Sequence, residues 1–324
     1  MNILAGYTGF VGSNIHAAAS FDLLCSSKNI QEAYGKRPQL LVYAGVRAEK
    51  YLAAHEPQKD LAHILQAEEN IAQIQPEKLV LISTIDVYGT AQHFDETSQI
   101  DAAKLKPYGL HRYQLEQWVR EHYPDALIIR LPALYGKNIR KNFIYDYMNR
   151  IPSMLHEDKM EQLEAASPGL KACYERQENG FYRLLPFTGT GKESIFRQKK
   201  ALEQKFRKAG FSALHFTDSR STFQFYGLSR LWGDIQTALR EGLALFLPVT
   251  EPVRASEIYE YLSGETFVNE TGTLACYDCR TRYAGLFGGR GGYLETKAEV
   301  LEHVREFVNG TMQKDDESGC VVPK

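Results

Sequence analysis

The first twelve residues constrain this chain more than any other stretch. Residues 3–5 form a short apolar run that ends at Gly6, glycine recurs at positions 9 and 12, and a helical pattern opens near Ser13. Glycines at such spacing permit a tight turn, let the backbone approach an anion, and let a helix pack closely on its strand. The following helix start offers N–H groups to a phosphate. A strand–glycine turn–helix unit therefore predicts a nucleotide pyrophosphate cradle built from Gly6, Thr8, Gly9, Phe10, Val11 and Gly12.

The rest of the first half repeats the alternation. Apolar runs at 22–26, 40–43, 79–83 and 126–130 read as buried strands. A short helical piece at 30–34 and helices at 61–74 and 113–123 fall between them, the first long one marked by Leu61, Ile64, Leu65, Ile71 and Ile74. Strands alternating with helices predict an α/β fold, a Rossmann-type doubly wound parallel sheet covered on both faces. The pattern then changes: 155–210 is charged and reads as mostly helical, 213–225 as extended, 228–239 as a helix and 243–247 as a strand. Helices follow at 255–262 and 297–308. The expected organisation is a dinucleotide-binding domain over 1–150, with 213–250 returning to it. A smaller mixed α/β substrate region would occupy 151–308, and 309–324 reads as a disordered tail.

A formal net charge of −2 leaves no global basic field of the kind nucleic-acid binding leaves, and the basic run at 194–209 reads as a solvated helix face. Five cysteines do not form a disulfide framework, Cys25 reads as buried, and Cys276-x-x-Cys279 has no second pair, so no metal site is expected. No apolar run is long enough to span a bilayer and the start does not read as a signal peptide, so the expected compartment is the cytoplasm. Residues 188–192, around Gly189, Thr190 and Gly191, lack phosphate-loop spacing and read as a loop. Gly288-Gly289-Arg290-Gly291-Gly292 reads as a surface loop.

Further motifs follow in order. They are Val42-Tyr43-Ala44-Gly45, Glu69-Asn70, the run from Leu81 through Ser83-Thr84-Ile85-Asp86 to Gly89, Pro107-Tyr108-Gly109-Leu110-His111-Arg112, and Arg130-Leu131-Pro132-Ala133-Leu134-Tyr135-Gly136. Together with Gly-x-x-Gly-x-x-Gly, they resemble the extended short-chain dehydrogenases/reductases, the NAD-dependent epimerase/dehydratase family. The likeness is good over about 1–140 and looser over 215–262, where Arg220-Ser221-Thr222-Phe223 resembles a phosphate-binding Arg-Asp-Phe segment.

The resemblance implies an NAD(P)-dependent oxidoreductase or epimerase acting on a nucleotide sugar, nearest to the dTDP-4-keto-6-deoxysugar reductases. Thr84 would hydrogen-bond the substrate oxygen and Tyr108 would serve it as general acid or base. Arg112 stands where the family has lysine and would depress the Tyr108 pKa and reach the nicotinamide ribose. Ala44 and Gly45 would lie along the cofactor, and Asp86, Asn142 and Arg220 would contact substrate. NAD-preferring relatives end the second strand with an acid; Ser26, Ser27 and Lys28 suit a 2′-phosphate better, so the expected cofactor is NADP before NAD. Dehydratases carry Asp-Glu after the threonine, and Ile85 here removes the first carboxyl. His111 reads as a surface histidine. Other implied features are a homodimer through helices at 61–74 and 113–123, with no nucleic acid and no membrane. The rival reading is a non-catalytic dinucleotide-binding regulator that has lost the active-site lysine.

Overall fold

The computed structural model describes residues 1–89, 92–189 and 191–318. In chain order the elements are β1 (Asn2–Ala5), α1 (Phe10–Ala18), β2 (Leu23–Cys25), β3 (Leu40–Tyr43), α2 (Lys50–His55), α3 (Pro57–Ile74), β4 (Leu79–Thr84), α4 (Pro107–His122), β5 (Leu127–Leu131) and β6 (Ala133–Tyr135). Then come α5 (Phe143–Met148), β7 (Met154–His156), α6 (Glu157–Ala166), β8 (Tyr174–Arg176), β9 (Phe181–Leu184) and α7 (Lys192–Lys208). The chain continues through β10 (Thr222–Phe223), β11 (Phe225–Gly227), α8 (Leu231–Arg240), β12 (Leu245–Phe246), β13 (Val253–Arg254), α9 (Ala255–Ser263) and α10 (Lys297–Ser318).

The chain divides into two compact units. The first holds residues 1–139, 222–253 and 275–302. Its sheet runs β2-β1-β3-β4-β5-β12, and every neighbouring pair is parallel. Strand order reverses at β1, whose neighbours are β2 and β3, so the connections diverge there and open a crevice at the strands' carboxyl ends. The glycine turn lies at that point. The sheet stops at β2, because 26–39 form a turn and a short 3-10 turn (Ile30–Ala33) instead of another strand.

The strands are mainly apolar because both faces are covered, with polar residues at Asn2 of β1, at Ser83 and Thr84 ending β4, and at Arg130 of β5. Leu41, Leu79, Leu81 and Ile128 pack with Ile64, Ile71, Ile74, Leu115 and Val119 on one side. Leu4, Val42, Val80, Leu127 and Ile129 pack with Ile15, Leu231, Ile235 and Ala238 on the other. The helical phase of α3 differs from the sequence reading. Its buried stripe is Asp60, Ile64, Ala67, Ile71 and Ile74, whereas Leu65 is 55% exposed.

The second unit holds residues 140–221, 254–274 and 303–324. Where the sequence reads as mostly helical, α6 and α7 are joined by an antiparallel sheet in the order β7-β9-β8. Leu155, Met160, Leu163, Leu202 and Phe206 form its core. The stretch 213–225, read as extended, opens with a 3-10 turn (Ala213–Phe216). The tail expected to be disordered from 309 is helical to Ser318 as part of α10, and 319–324 lie outside the described residues. Thr190 lies outside them as well, and Gly191 precedes α7 directly. Among the described residues no helix is long and apolar enough to cross a membrane.

Candidate active site

The glycine turn closes tightly. Gly6 adopts φ 86°, and a Cβ there would meet the Ala44 carbonyl oxygen at 2.4 Å. At Gly12 it would meet the Gly6 oxygen at 2.1 Å. Only glycine permits this approach of β1, the β3 end and α1. The turn is pinned by Gly6 N–H donating to the Cys25 carbonyl (2.7 Å) and Gly9 N–H to the Gly6 carbonyl (2.9 Å). Helix α1 then begins at Phe10 with no side-chain cap from Gly9 and no acid in its first turn. Its leading N–H groups, Phe10 and Val11 among them, have no intrahelical acceptor. Ala44 joins the cradle, its N–H bonded to the Ala5 carbonyl at 2.9 Å.

At the end of β2, Ser26 Oγ is committed locally, donating to Asn29 Oδ1 at 3.1 Å, and Lys28 N–H donates back to it at 3.3 Å. Ser27 and Lys28 are exposed. Asn70, part of the Glu69-Asn70 motif, is used for packing: it accepts from Tyr34 Oη (2.7 Å) and donates to Tyr43 Oη (3.1 Å).

The candidate catalytic residues meet where β4 ends and α4 begins. Helix α4 starts at Pro107, six residues before the expected start at Tyr113, with proline pre-set for the first helical position. That puts Tyr108 in the first turn. A Cβ on Gly109 would fall 2.3 Å from the Asp86 carbonyl oxygen, so glycine lets α4 ride directly on the 84–86 loop. Thr84 Oγ1 donates to Asp86 Oδ2 (3.0 Å) and accepts the Asp86 N–H (3.2 Å). Asp86 pairs with Lys50 Nζ at 2.8 Å and accepts from Tyr277 Oη at 3.5 Å. Lys50 Nζ lies 5.6 Å from the centre of the Tyr108 ring.

Arg112 lies 3.9 Å over the face of that ring and is 3% exposed. Its Nη1 pairs with Asp60 Oδ2, and its Nη2 donates to the Arg47 carbonyl at 2.5 Å. His111, expected at the surface, is buried and bonds the same Asp60 oxygen through Nδ1 at 2.7 Å. A carboxylate on the buried stripe of α3 draws both side chains inward. Burial would lift the Asp60 pKa, but hydrogen bonds from Arg112 and His111 outweigh it and hold the carboxyl below its ordinary value. Burial pushes the Tyr108 phenol above its usual pKa; Arg112 and Lys50 oppose that shift, and Asp86 and Asp60 reinforce it.

Beneath this site, Arg130 and Glu116 form a buried pair, Nη2 to Oε2 at 2.5 Å. Ser83 Oγ donates to Glu116 Oε1 at 2.5 Å, and Arg130 Nη1 donates to Tyr88 Oη at 2.6 Å. The Arg130 motif read from the sequence thus ties β4 and β5 to α4.

Two expected substrate contacts belong to the second unit. Asn142 caps α5, its Oδ1 accepting the N–H groups of Ile144 (3.0 Å) and Tyr145 (3.2 Å). Arg220 pairs with Asp218 (2.8 Å) and Glu270 (3.2 Å), with its side chain 52% exposed. Among the described residues no group of three or more histidine, cysteine or acidic side chains is placed to hold a metal ion. Sequence reasoning missed Lys50, Asp60, Glu116 and Tyr277. Only Asp60 carried a signal, an acid in phase with the α3 stripe.

A parallel sheet of this order, with its glycine turn at the switch point, is a Rossmann-type fold. Residues 22–166 match the NAD dependent epimerase/dehydratase family, which bears out the resemblance read from the motifs. No curated protein matches the chain. Among solved structures, the dTDP-4-dehydrorhamnose reductase from Bacillus anthracis in complex with NADP is 16% identical, with a TM-score of 0.60 over 95% of this chain and 97% of that one. The UDP-glucose 4-epimerase from Thermotoga maritima with UDP-glucose is 14% identical, with a TM-score of 0.60 over 97% and 99%. RMD from Pseudomonas aeruginosa complexed with NADPH is 14% identical, again with a TM-score of 0.60, over 96% and 99%. At these identities the likeness establishes the fold.

Proposed function

We propose that this chain is an NAD(P)-dependent oxidoreductase or epimerase acting on a nucleotide sugar, with reduction of a keto-sugar nucleotide as the favoured reaction. The observation that carries it is the convergence of Thr84, Asp86 and Tyr108 at the carboxyl edge of a sheet whose glycine turn leaves an uncapped helix start. Residues 6–12 fit a dinucleotide: the turn has no side chain to fill the cradle, and α1 aims a positive dipole end at it. The exposed Ser27 and Lys28 suit a 2′-phosphate, as in NADP. The expected compartment stays the cytoplasm and the expected assembly a homodimer through α3 and α4.

When bound, the nicotinamide supplies or accepts hydride. Thr84 would turn its hydroxyl from Asp86 to the substrate carbonyl oxygen and hold it by a hydrogen bond. Tyr108, protonated at neutral pH and pushed further from ionising by burial, would give its proton to that oxygen as hydride reaches the carbonyl carbon. Arg112, fixed over the ring face, would stabilise the phenolate left behind. With Ile85 in place of the first dehydratase carboxyl, elimination loses its paired acid. Arg220 is the second unit's candidate for the diphosphate, which would displace Glu270.

The rival reading, a dinucleotide-binding regulator, draws on one observation: both outer nitrogens of Arg112 are occupied by protein acceptors. The test is nicotinamide turnover with dTDP-, UDP- and GDP-linked sugars, wild type against Tyr108→Phe. Turnover with one class, cut about 10²–10⁴-fold by the substitution, is the expected result. Dinucleotide binding without turnover favours the regulator, and no binding of either ligand overturns both.

A further inference from the structure

Two cations flank Tyr108, and they are held very differently. Arg112 is a fixture: its outer nitrogens are bound by Asp60, the Tyr108 carbonyl (3.4 Å) and the Arg47 carbonyl (2.5 Å), and its charge faces the ring rather than open space. Moving it would leave the fully buried Asp60 with only His111. It cannot follow a charge that appears and disappears at the phenol oxygen.

Lys50 is held from the surface side, by Asp86 and Tyr277. It enters from the first position of α2, on a different element from the one that carries Tyr108 and Arg112. Its side chain is 59% exposed, and its ammonium is shared by both Asp86 oxygens at 2.8 Å. Burial pulls the Lys50 pKa down, but Asp86 and Tyr277 more than offset this, so the ammonium stays charged through the working range. The groups facing Tyr108 are then Lys50 from α2, Asp60 from α3, Asp86 after β4 and Arg112 from α4, two acids and two bases. Loss of the phenol proton breaks that balance by one negative charge, and of these four groups Lys50 is the cation not locked into a buried pair.

We propose that Lys50 is the mobile cation of the Tyr108 site, pairing with Asp86 while the phenol is neutral and shared with the phenolate once its proton is given up. The Tyr108 O–H bond breaks, the proton leaves to the substrate oxygen, and water returns it after product departs. Lys50 itself exchanges no proton. The position four residues after the tyrosine thus keeps a buried, structural cation, and the adaptable one comes from the start of α2. This rests on Tyr108 acting as the acid of the proposed reaction.

The test is ionisation of Tyr108 followed by NMR of ring-labelled tyrosine, assigned with Tyr108→Phe, which needs no turnover. Removing a cation that sits 5.6 Å from the ring centre, at an effective dielectric of about 40 between the interior and bulk-water values, shifts a titration by roughly one unit. Lys50→Met should raise the Tyr108 midpoint by about that much and Asp86→Asn should lower it, while Lys50→Arg restores the wild-type value. In turnover, Lys50→Met should lower kcat about tenfold with KM little changed, and Lys50→Arg should recover most of it. An unmoved midpoint in Lys50→Met, or Lys50→Arg as impaired as Lys50→Met, overturns the role of Lys50 and leaves Tyr108 in place. Full activity in Tyr108→Phe overturns the reaction instead.

Discussion

Asp60→Leu and Arg112→Met, singly and together, probe the feature on which the Tyr108 site is built. The Asp60 side chain is 0% exposed and that of Arg112 4%, so solvent cannot compensate either charge when its partner is removed. Breaking such a pair from one side costs about 3–5 kcal/mol, while replacing both by apolar groups of similar volume is often near neutral. Here the double variant also leaves His111 Nδ1 and the Arg47 carbonyl without their partners, at about 1–3 kcal/mol. The single losses should therefore far exceed the double loss when summed, with a coupling of about 3 kcal/mol or more. In urea, at a slope of about 2 kcal/mol/M, each single variant should unfold roughly 2 M earlier. The sign with pH is fixed as well. The Asp60 pKa is depressed in the folded state, so its stabilisation is complete above the unfolded carboxylate pKa near ~4. It is lost as pH falls through the lower folded value, and the gap between wild type and Asp60→Leu should close there. Single losses below about 1 kcal/mol, or losses that add, would refute the reasoning.

Three other outcomes are expected. Glu116→Ala should cost about 3–5 kcal/mol in chemical denaturation, because it strips Arg130 and Ser83 of a buried partner. Gly109→Ala should fold but lose turnover, since its methyl would press on the Asp86 carbonyl and part α4 from the 84–86 loop; a crystal structure with an unmoved loop would count against this. Burial lifts the Asp146 carboxyl to about 7, so the folded protein keeps a proton that the unfolded chain releases above pH ~4. Stability should fall as pH rises from there towards 7, and Asp146→Asn should flatten that slope in a pH series of thermal melts.

The sheet was legible because buried parallel strands are nearly continuous apolar runs punctuated by turns, as Leu40–Tyr43 shows and Leu127–Leu131 shows but for Arg130. The glycine turn was legible because close backbone approach leaves only one residue type. The β7-β9-β8 sheet was not, since strands of three and four residues carry too short a period to separate from helix. Within the site, Tyr108 and Thr84 stood in readable motifs, but the fate of Arg112 depended on Asp60, 52 residues away. Pairing of that kind is a property of how α3 packs on α4, and a motif does not encode it. Lys50 escaped for the same reason: a surface lysine gains meaning only beside Asp86.

That residues 6–12 seat a nicotinamide dinucleotide is tested most directly by calorimetric titration of NADPH and NADH into wild type and Gly9→Asp. Gly9 has φ −75° and ψ 171°, which aspartate adopts readily at a helix N-cap, so the variant should fold while placing a negative charge where the pyrophosphate would lie. Saturable binding by wild type, tighter for NADPH and weakened at least tenfold by Gly9→Asp, is the predicted result. Binding by neither protein, or equal binding by both, would contradict it.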